Sequence, residues 1–106
     1  MIPGVIGYCG FFVQTVDDAE EVEIAYRIDP QYWGRGYASE AAQAVRDHAF
    51  RDLGFERVIS LIVPKNLASR RVAERNGMTV WKQTNFRGFD VLVYAITRSQ
   101  WEQQQA

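Results

Sequence analysis

The feature that most constrains the fold is a change in the spacing of apolar residues within one short region. Residues 22–28 (VEIAYRI) carry apolar side chains at every second position, which is the period of a half-buried strand. From Tyr37 onward the apolar residues recur at spacings of three and four, which is the period of one helical face. The spacing therefore predicts a strand followed closely by a helix over residues 37–53.

The rest of the chain continues this mixture of strands and helices. Apolar, β-branched runs predict further strands over 5–13, 58–63, 78–84 and 89–97. A second helix is predicted over 67–76, with Asn66 as its N-terminal cap and Gly77 as its end. The acidic stretch 15–21 (TVDDAEE) is interpreted as a turn. The prediction is a single α/β domain over residues 1–106, with a mixed sheet and helices packed on it.

Composition excludes several classes of partner. Twelve basic and 13 acidic side chains nearly cancel, which gives no support to nucleic acid or an anionic membrane surface as a partner. The apolar runs are too short to span a membrane, and the first residues do not resemble a secretory signal. Cys9 is the only cysteine, so neither an intrachain disulfide nor a metal site is predicted. These observations favour a cytoplasmic protein.

Two glycines stand immediately before the predicted helix, in the stretch DPQYWGRGYASEAAQAV (29–45). The first amides of a helix lack partners within the helix and attract anions, and glycine removes the Cβ that would keep a phosphate away. Gly34 and Gly36 therefore suit a pyrophosphate, or they simply make a strand-to-helix turn. Neither a Walker loop nor the dinucleotide-binding fingerprint is present.

The segment Q-Y-W-G-R-G-Y-A (31–38) matches the Q/R-x-x-G-x-G/A motif of the GNAT superfamily of N-acetyltransferases, which use acetyl-CoA. The segment N-L-A-S-R-R-V-A-E-R-N-G-M (66–78) resembles a second motif, found in the subgroup that acetylates the N-termini of ribosomal proteins. This resemblance covers roughly residues 5–101. It implies the acyl-CoA N-acyltransferase fold, whose sheet is mostly antiparallel.

The resemblance also implies which residues contact acetyl-CoA. A strand that parts from its neighbour would offer main-chain groups to the pantetheine arm, and the amides after it would bind the pyrophosphate. Arg35 would add a charge or remain solvated, and Asn66 would contact the amide groups of the cofactor, cap a helix, or do both. The implied contact residues are Arg27, Ile28, Gln31, Gly34, Arg35, Gly36, Tyr37, Ala38 and Asn66.

For catalysis, the resemblance points to one carboxylate and one hydroxyl. Glu23 is the candidate general base, with Glu21 in reserve, unless both are solvated strand residues. Ser69 matches a serine that stabilises the departing thiolate or the carbonyl oxygen, although a surface helix serine is an equal alternative. Many members of the superfamily place a tyrosine general acid where this chain has Ala73, which argues against that mechanism here.

Five further charged or titratable residues occupy the two predicted helices. His48 is interpreted as structural. Arg70, Arg71 and Arg75 either form a solvated face together with Glu74, which is the favoured interpretation, or supply one contact to the 3′-phosphate of the cofactor.

The family usually begins with a strand, two helices and another strand before the equivalent of residues 5–13. The chain is therefore expected to be N-terminally shortened, with apolar surface that self-association would cover. The predicted function is acetyl transfer to a primary amine, either a protein N-terminus or a small amine such as a polyamine or aminoglycoside. The alternatives are a non-catalytic CoA-binding or scaffolding domain, a fragment of a longer acetyltransferase, and a domain that binds another nucleotide at the same glycines.

Overall fold

A computed structural model describes residues 7–28 and 37–105, with the backbone alone for residues 7–9, 26–28, 37 and 38. Five strands and three helices make up this part of the chain. In chain order they are β1 (Gly7–Val16), β2 (Ala19–Ile28), α1 (Tyr37–Arg51), β3 (Arg57–Ile62), α2 (Leu67–Arg75), β4 (Thr79–Phe86), β5 (Phe89–Thr97) and α3 (Arg98–Gln105).

The strands form one sheet in the order β1-β2-β3-β5-β4. Only the β2–β3 pair is parallel, and the other three pairs are antiparallel. The prediction of an α/β fold with a mixed, mostly antiparallel sheet is therefore confirmed.

The helices share one face of the sheet. A single apolar cluster on that face includes Ala49 and Phe50 of α1, Ala73 of α2 and Trp101 of α3. The strands contribute Ile24, Val58, Ile62, Leu92, Tyr94 and Ile96 to the same cluster. Because β2, β3 and β5 all send side chains into it, this face holds the three central strands together. None of the helices in the described part of the chain is long and apolar enough to cross a membrane.

The opposite face carries a smaller apolar cluster made of Val16, Ile59, Val93 and Ala95. The tip of the β1–β2 hairpin reaches across it to the far edge strand. Asp17 forms an ion pair of 2.9 Å with Lys82 of β4 and accepts a hydrogen bond from Thr84. The tip of the hairpin is thereby fixed to β4 although the two lie at opposite ends of the strand order.

The predicted turn over residues 15–21 is wrong in extent. Only Asp17 and Asp18 turn, both with positive φ, and the strands continue on either side of them. Val16 is buried in the smaller cluster and Glu21 is buried beside Arg57. These tertiary contacts keep most of this largely polar stretch extended.

Each of the first two helices is followed by a glycine, as predicted for the second helix at Gly77, but the first helix is shorter than predicted. Gly54 and Gly77 both have positive φ, and the Met78 amide bonds back to the Ala73 carbonyl, as in a Schellman cap. However, α1 ends at Arg51 rather than at residue 53, because Leu53 bonds to the carbonyl of His48 in an irregular last turn.

The helix α3 was not predicted, because RSQWEQQQ has one large apolar residue and no helical stripe. Thr97 and Gln100 hold its start: the Gln100 amide donates to Thr97 Oγ1 and the Thr97 amide to Gln100 Oε1. This reciprocal pair is a capping box, and the spacing T-x-x-Q was the sequence signal for it. Trp101 then packs on Phe50 and fixes the helix to the core.

Candidate active site

The central geometric feature of the candidate site is the parting of β2 and β3. Their register contains the single Cα pair Glu23↔Ile59, whereas six pairs join β3 to β5. Beyond this pair β2 continues to Ile28 with partners only in β1, as far as the described register goes. Within the described residues, the main-chain groups on this side of β2 therefore have no strand partner, and we call this gap between β2 and β3 the opening.

Two side chains bridge the strands where they part. Ser60 Oγ donates to the Ile24 carbonyl at 2.9 Å, and Glu23 Oε2 accepts the Leu61 amide at 3.2 Å. Each bond satisfies a main-chain group that a continued ladder would otherwise have paired. The position of the opening is thus set by the side chains of Glu23 and Ser60.

Glu23 is buried, with 9% of its surface exposed. Its second oxygen, Oε1, accepts from the Gln14 side-chain amide at 3.0 Å, and Gln14 in turn accepts from Arg87. The interpretation of Glu23 as a solvated strand residue is wrong, since the carboxylate is held on both oxygens at the edge of the opening.

Glu21, the reserve candidate, has a different environment. Arg57 donates to both of its oxygens, at 3.0 Å and 2.7 Å, and the guanidinium also lies 4.2 Å from the centre of the Trp81 ring. A buried carboxylate held by a bidentate arginine is a structural ion pair, and the solvated interpretation is wrong here as well. In the described structure the hydrogen-bond partners of Glu23 are neutral groups, which makes it the better candidate for accepting a proton.

The first turn of α2 follows the C-terminal end of β3. Asn66 Oδ1 accepts the Ser69 amide at 3.1 Å, so its predicted capping role is confirmed. Ser69 lies on the same turn and is half-buried. The chain thus leads from Leu61, which Glu23 binds, to Asn66 and Ser69 within eight residues.

The first turn of α1 contains a further candidate residue that no motif in the sequence marks. Ser39 is buried, and its hydroxyl has no hydrogen-bond partner within the described structure. A buried hydroxyl at a helix N-terminus fits an anionic group of a ligand, because that ligand would satisfy both the hydroxyl and the free amides. The signal was its place, three residues after Gly36.

Several predicted contact residues lie wholly or partly outside the described residues. Arg27 and Ile28 are placed by their backbone at the end of β2, and Tyr37 and Ala38 by theirs at the start of α1. Gln31, Gly34, Arg35 and Gly36 fall outside the described ranges. The predicted pyrophosphate loop therefore stays a prediction.

Arg70 corrects the interpretation of the α2 arginines as a solvated face. Its Nε donates to Tyr94 Oη at 3.1 Å, and its Nη1 donates to the Pro64 carbonyl at 3.2 Å. Arg71 and Arg75 are exposed, as expected. The spacing of polar residues along α2 does not predict the contact between Arg70 and Tyr94, because Tyr94 is 24 residues further along the chain.

The candidate site is thus a parallel strand pair that parts ahead of the first turn of α2, within a mostly antiparallel α/β sheet. The family model described as "Acetyltransferase (GNAT) domain" matches residues 3–79. The chain therefore belongs to the GNAT family.

Individual relatives support this assignment. The uncharacterized protein YkkB of Bacillus subtilis is 42% identical over 73 residues, which are 69% of this chain and 42% of that protein. The FsC-acetyl coenzyme A-N(2)-transacetylase of Aspergillus fumigatus is 34% identical and covers 77% of this chain and 38% of its own length. Among solved structures, a putative GNAT-family acetyltransferase from Bordetella pertussis superposes with a TM-score of 0.73 at 33% identity, covering 84% of this chain and 56% of the other.

The same fold is found at lower identity. The protein AAC(6')-Ib, solved in complex with paromomycin and acetyl-CoA, has a TM-score of 0.75 at 17% identity, and the match covers 80% of this chain and 49% of that one. The chain spans about half or less of the length of the curated relatives YkkB and the FsC transacetylase.

Proposed function

We propose that this chain is an N-acetyltransferase domain that transfers the acetyl group of acetyl-CoA to a primary amine. The observation that carries the proposal is the opening between β2 and β3, in a chain of the GNAT family. An extended ligand with its own amides can hydrogen-bond to the free edge of a strand in the way an added strand would. The pantetheine arm of acetyl-CoA is such a ligand.

The two ends of the cofactor have matching groups. We assign the pyrophosphate to the first turn of α1, where the amides of Tyr37 and Ala38 and the unpartnered hydroxyl of Ser39 are found. Asn66 is assigned to the amide groups of the pantetheine arm, since its side-chain NH₂ is left over after Oδ1 caps α2. The residues of the motif at 31–36 complete this assignment.

The proposed chemistry is direct attack within a ternary complex. A neutral amine nitrogen bonds to the thioester carbonyl carbon, the carbon–sulfur bond breaks, and one proton passes from the amine to solvent or protein while CoA leaves. We assign the proton to Glu23, directly or through a water molecule, because its carboxylate lies where the strands part. Ser69 is assigned to the departing thiolate or the carbonyl oxygen.

The first test separates catalysis from cofactor binding. Glu23→Gln should lower turnover by about 10²-fold, within the usual range for a general base, while the affinity for acetyl-CoA stays the same, because glutamine keeps an oxygen that accepts the Leu61 amide at the opening. Turnover is measured as CoA release with a panel of amines and N-terminal peptides, and affinity by calorimetry. Glu20→Gln is the matched control, since Glu20 is an exposed glutamate on the same strand.

The outcome also decides among the alternatives. Binding of acetyl-CoA without CoA release above background for any amine would contradict the enzyme and favour a non-catalytic CoA-binding domain, or a fragment that needs the rest of a longer enzyme. Competition by ATP but not by CoA would favour a domain that binds another nucleotide. It would contradict both the acetyltransferase and the non-catalytic CoA-binding domain.

The acceptor and the surroundings of the protein also belong to the proposal. The relatives and structural neighbours carry names and titles that range from an FsC transacetylase to a protein solved with paromomycin, and the resemblance to the ribosomal-protein subgroup favours a protein N-terminus. We further propose that the protein acts in the cytoplasm as a homo-oligomer. Exposed apolar side chains on the edge strand β1 support the second point, since Phe12 is 46% and Val13 is 69% exposed.

A further inference from the structure

A buried tyrosine holds an arginine on the first turns of α2. Tyr94, on β5, is 1% exposed, and its hydroxyl bonds to both Arg70 Nε at 3.1 Å and Glu74 Oε2 at 3.0 Å. A guanidinium only donates and a carboxylate only accepts, so the direction of both bonds is fixed. The hydroxyl accepts from Arg70 and donates to Glu74.

Arg70 uses a second nitrogen to hold the connection that leads into α2. Its Nη1 donates to the Pro64 carbonyl at 3.2 Å, in the segment between β3 and the cap residue Asn66. The same segment is closed by the Asn66 amide, which bonds to the Val63 carbonyl at 2.9 Å. One planar guanidinium therefore joins the central sheet, the β3–α2 connection and the helix.

Tyr94 is also tied to the opening between β2 and β3. It pairs across the sheet with Ser60, whose hydroxyl binds the Ile24 carbonyl where the strands part. The line from Ile24 through Ser60 and Tyr94 is buried, and a hydrogen bond from Tyr94 extends it to the half-buried Arg70. These contacts thereby couple the position of α2 to the position of the opening.

We propose that Arg70 is a positioning residue, held by Tyr94, that sets the first turn of α2 so that Asn66 and Ser69 meet bound acetyl-CoA. This inference rests on the proposed function, because it assigns α2 to the acetyl-CoA site. Arg70 acts through the two residues on its own turn and does not touch the reacting atoms. Fixing one end of the helix matters here because small misplacements in an active site are costly in rate.

Two substitutions remove the link in different ways. Tyr94→Phe deletes the hydroxyl but keeps the buried ring, and Arg70→Ala removes both bonds of the guanidinium. Arg70→Lys keeps the charge, but an ammonium cannot reproduce the planar fork that joins Tyr94 to Pro64. We expect Tyr94→Phe to weaken acetyl-CoA binding about fivefold and to lower kcat about tenfold, with Arg70→Ala at least as affected and Arg70→Lys not rescued.

The matched control is Arg98→Ala. Arg98 also fixes a helix, through the Phe50 carbonyl and Glu102, but it follows Thr97, which pairs with the first residue of β3 at the opposite end of the sheet from α2. It should lower the melting temperature about as much as Arg70→Ala does, while the Kd for acetyl-CoA and kcat stay at wild-type values.

The experiment measures Kd by calorimetry, kcat and KM by CoA release, and the melting temperature for each variant of the 106-residue chain. Joint losses of affinity and kcat in both Tyr94→Phe and Arg70→Ala, with a double variant no worse than Arg70→Ala, support the inference. Independent, multiplicative losses would overturn it, and so would wild-type Kd and kcat in Tyr94→Phe. If the wild-type chain does not bind acetyl-CoA, the proposed function itself fails, which is a different result from unchanged binding in the variants.

Discussion

At the scale of single residues, Asp47 shows how one carboxylate on α1 serves two partners. Its Oδ1 accepts from the Arg46 guanidinium and from Trp101 Nε1 at 2.9 Å. Burial alone would raise the pKa of Asp47, but the hydrogen bonds from Trp101 and Arg46 outweigh it and lower the pKa below its usual 3.8. The ionised carboxylate is therefore favoured in the folded state.

The pH dependence of stability follows from this shift. Because the folded pKa of Asp47 lies below the unfolded value, its contribution is fully present above about pH 4 and is lost as the pH falls through the folded pKa. We expect Asp47→Asn to have a smaller free energy of unfolding than wild type at pH 7, and the gap to narrow at pH 3. Urea unfolding at several pH values measures it, and a gap that stays constant with pH would contradict the assignment.

It was easier to predict from the sequence which residues matter at the candidate site than to predict which residues they contact. The sequence marked Glu23 and Asn66 because a motif surrounds each of them, and the cap at Asn66 was deduced from residue type alone. The burial of Glu21 by Arg57, 36 positions away, and the link from Arg70 to Tyr94 were not predictable. Such contacts depend on strand pairing across the sheet, which local spacing does not encode.

At the scale of elements, the β4–β5 hairpin depends on one glycine. Arg87 and Gly88 both have positive φ, as a two-residue hairpin turn requires, and the Gly88 amide is held by Asn85 Oδ1 at 3.1 Å. A Cβ added at Gly88 would meet nothing within 4 Å, so only the backbone conformation resists substitution.

This predicts a destabilisation without any steric clash. Gly88→Ala should lower the free energy of unfolding by about 1 kcal/mol, the approximate cost of a left-handed non-glycine residue. Gly10→Ala is the control, because a Cβ there also meets nothing within 4 Å but the residue does not have a positive φ. It should change stability by less than about 0.5 kcal/mol, because the added Cβ meets no atom and the backbone is not left-handed. Equal losses in chemical denaturation would contradict the backbone argument.

Among the elements, the spacing of apolar residues and the positions of glycines predicted most of the strands and helices that are found. The five strands and the first two helices were placed within a few residues, since each has either an apolar period or a glycine end. The α3 helix was missed because its burial depends on a single tryptophan that packs on α1. The predicted turn over residues 15–21 was too long for a similar reason. A tertiary contact, here the buried ion pair between Glu21 and Arg57, keeps acidic residues within a strand.

At the scale of the whole molecule, some of the exposed apolar side chains lie at the β1 edge of the sheet. Phe12 and Val13 are exposed there, and β1 pairs on one side only within the described sheet. A bare edge with apolar side chains is a surface for pairing with another strand. We therefore expect the chain to self-associate along β1.

Sedimentation over a range of concentrations tests this expectation. The wild-type chain should show concentration-dependent oligomers, and Val13→Lys should shift it towards monomer because a charged edge resists pairing. Leu53→Lys, at an exposed apolar position after α1, is the control and should leave the association unchanged. A monodisperse wild-type monomer at every concentration would contradict the expectation.

The parting of β2 from β3 has a further consequence for how this chain can diverge. The groups that border the opening belong to the main chain, and every amino acid except proline carries the same N–H and C=O. Mutations along the open half of β2 therefore alter its side chains while the pattern offered to a ligand stays the same. Descendants of this chain can drift in sequence there and keep the same hydrogen-bonding edge, until a proline removes one of its donors.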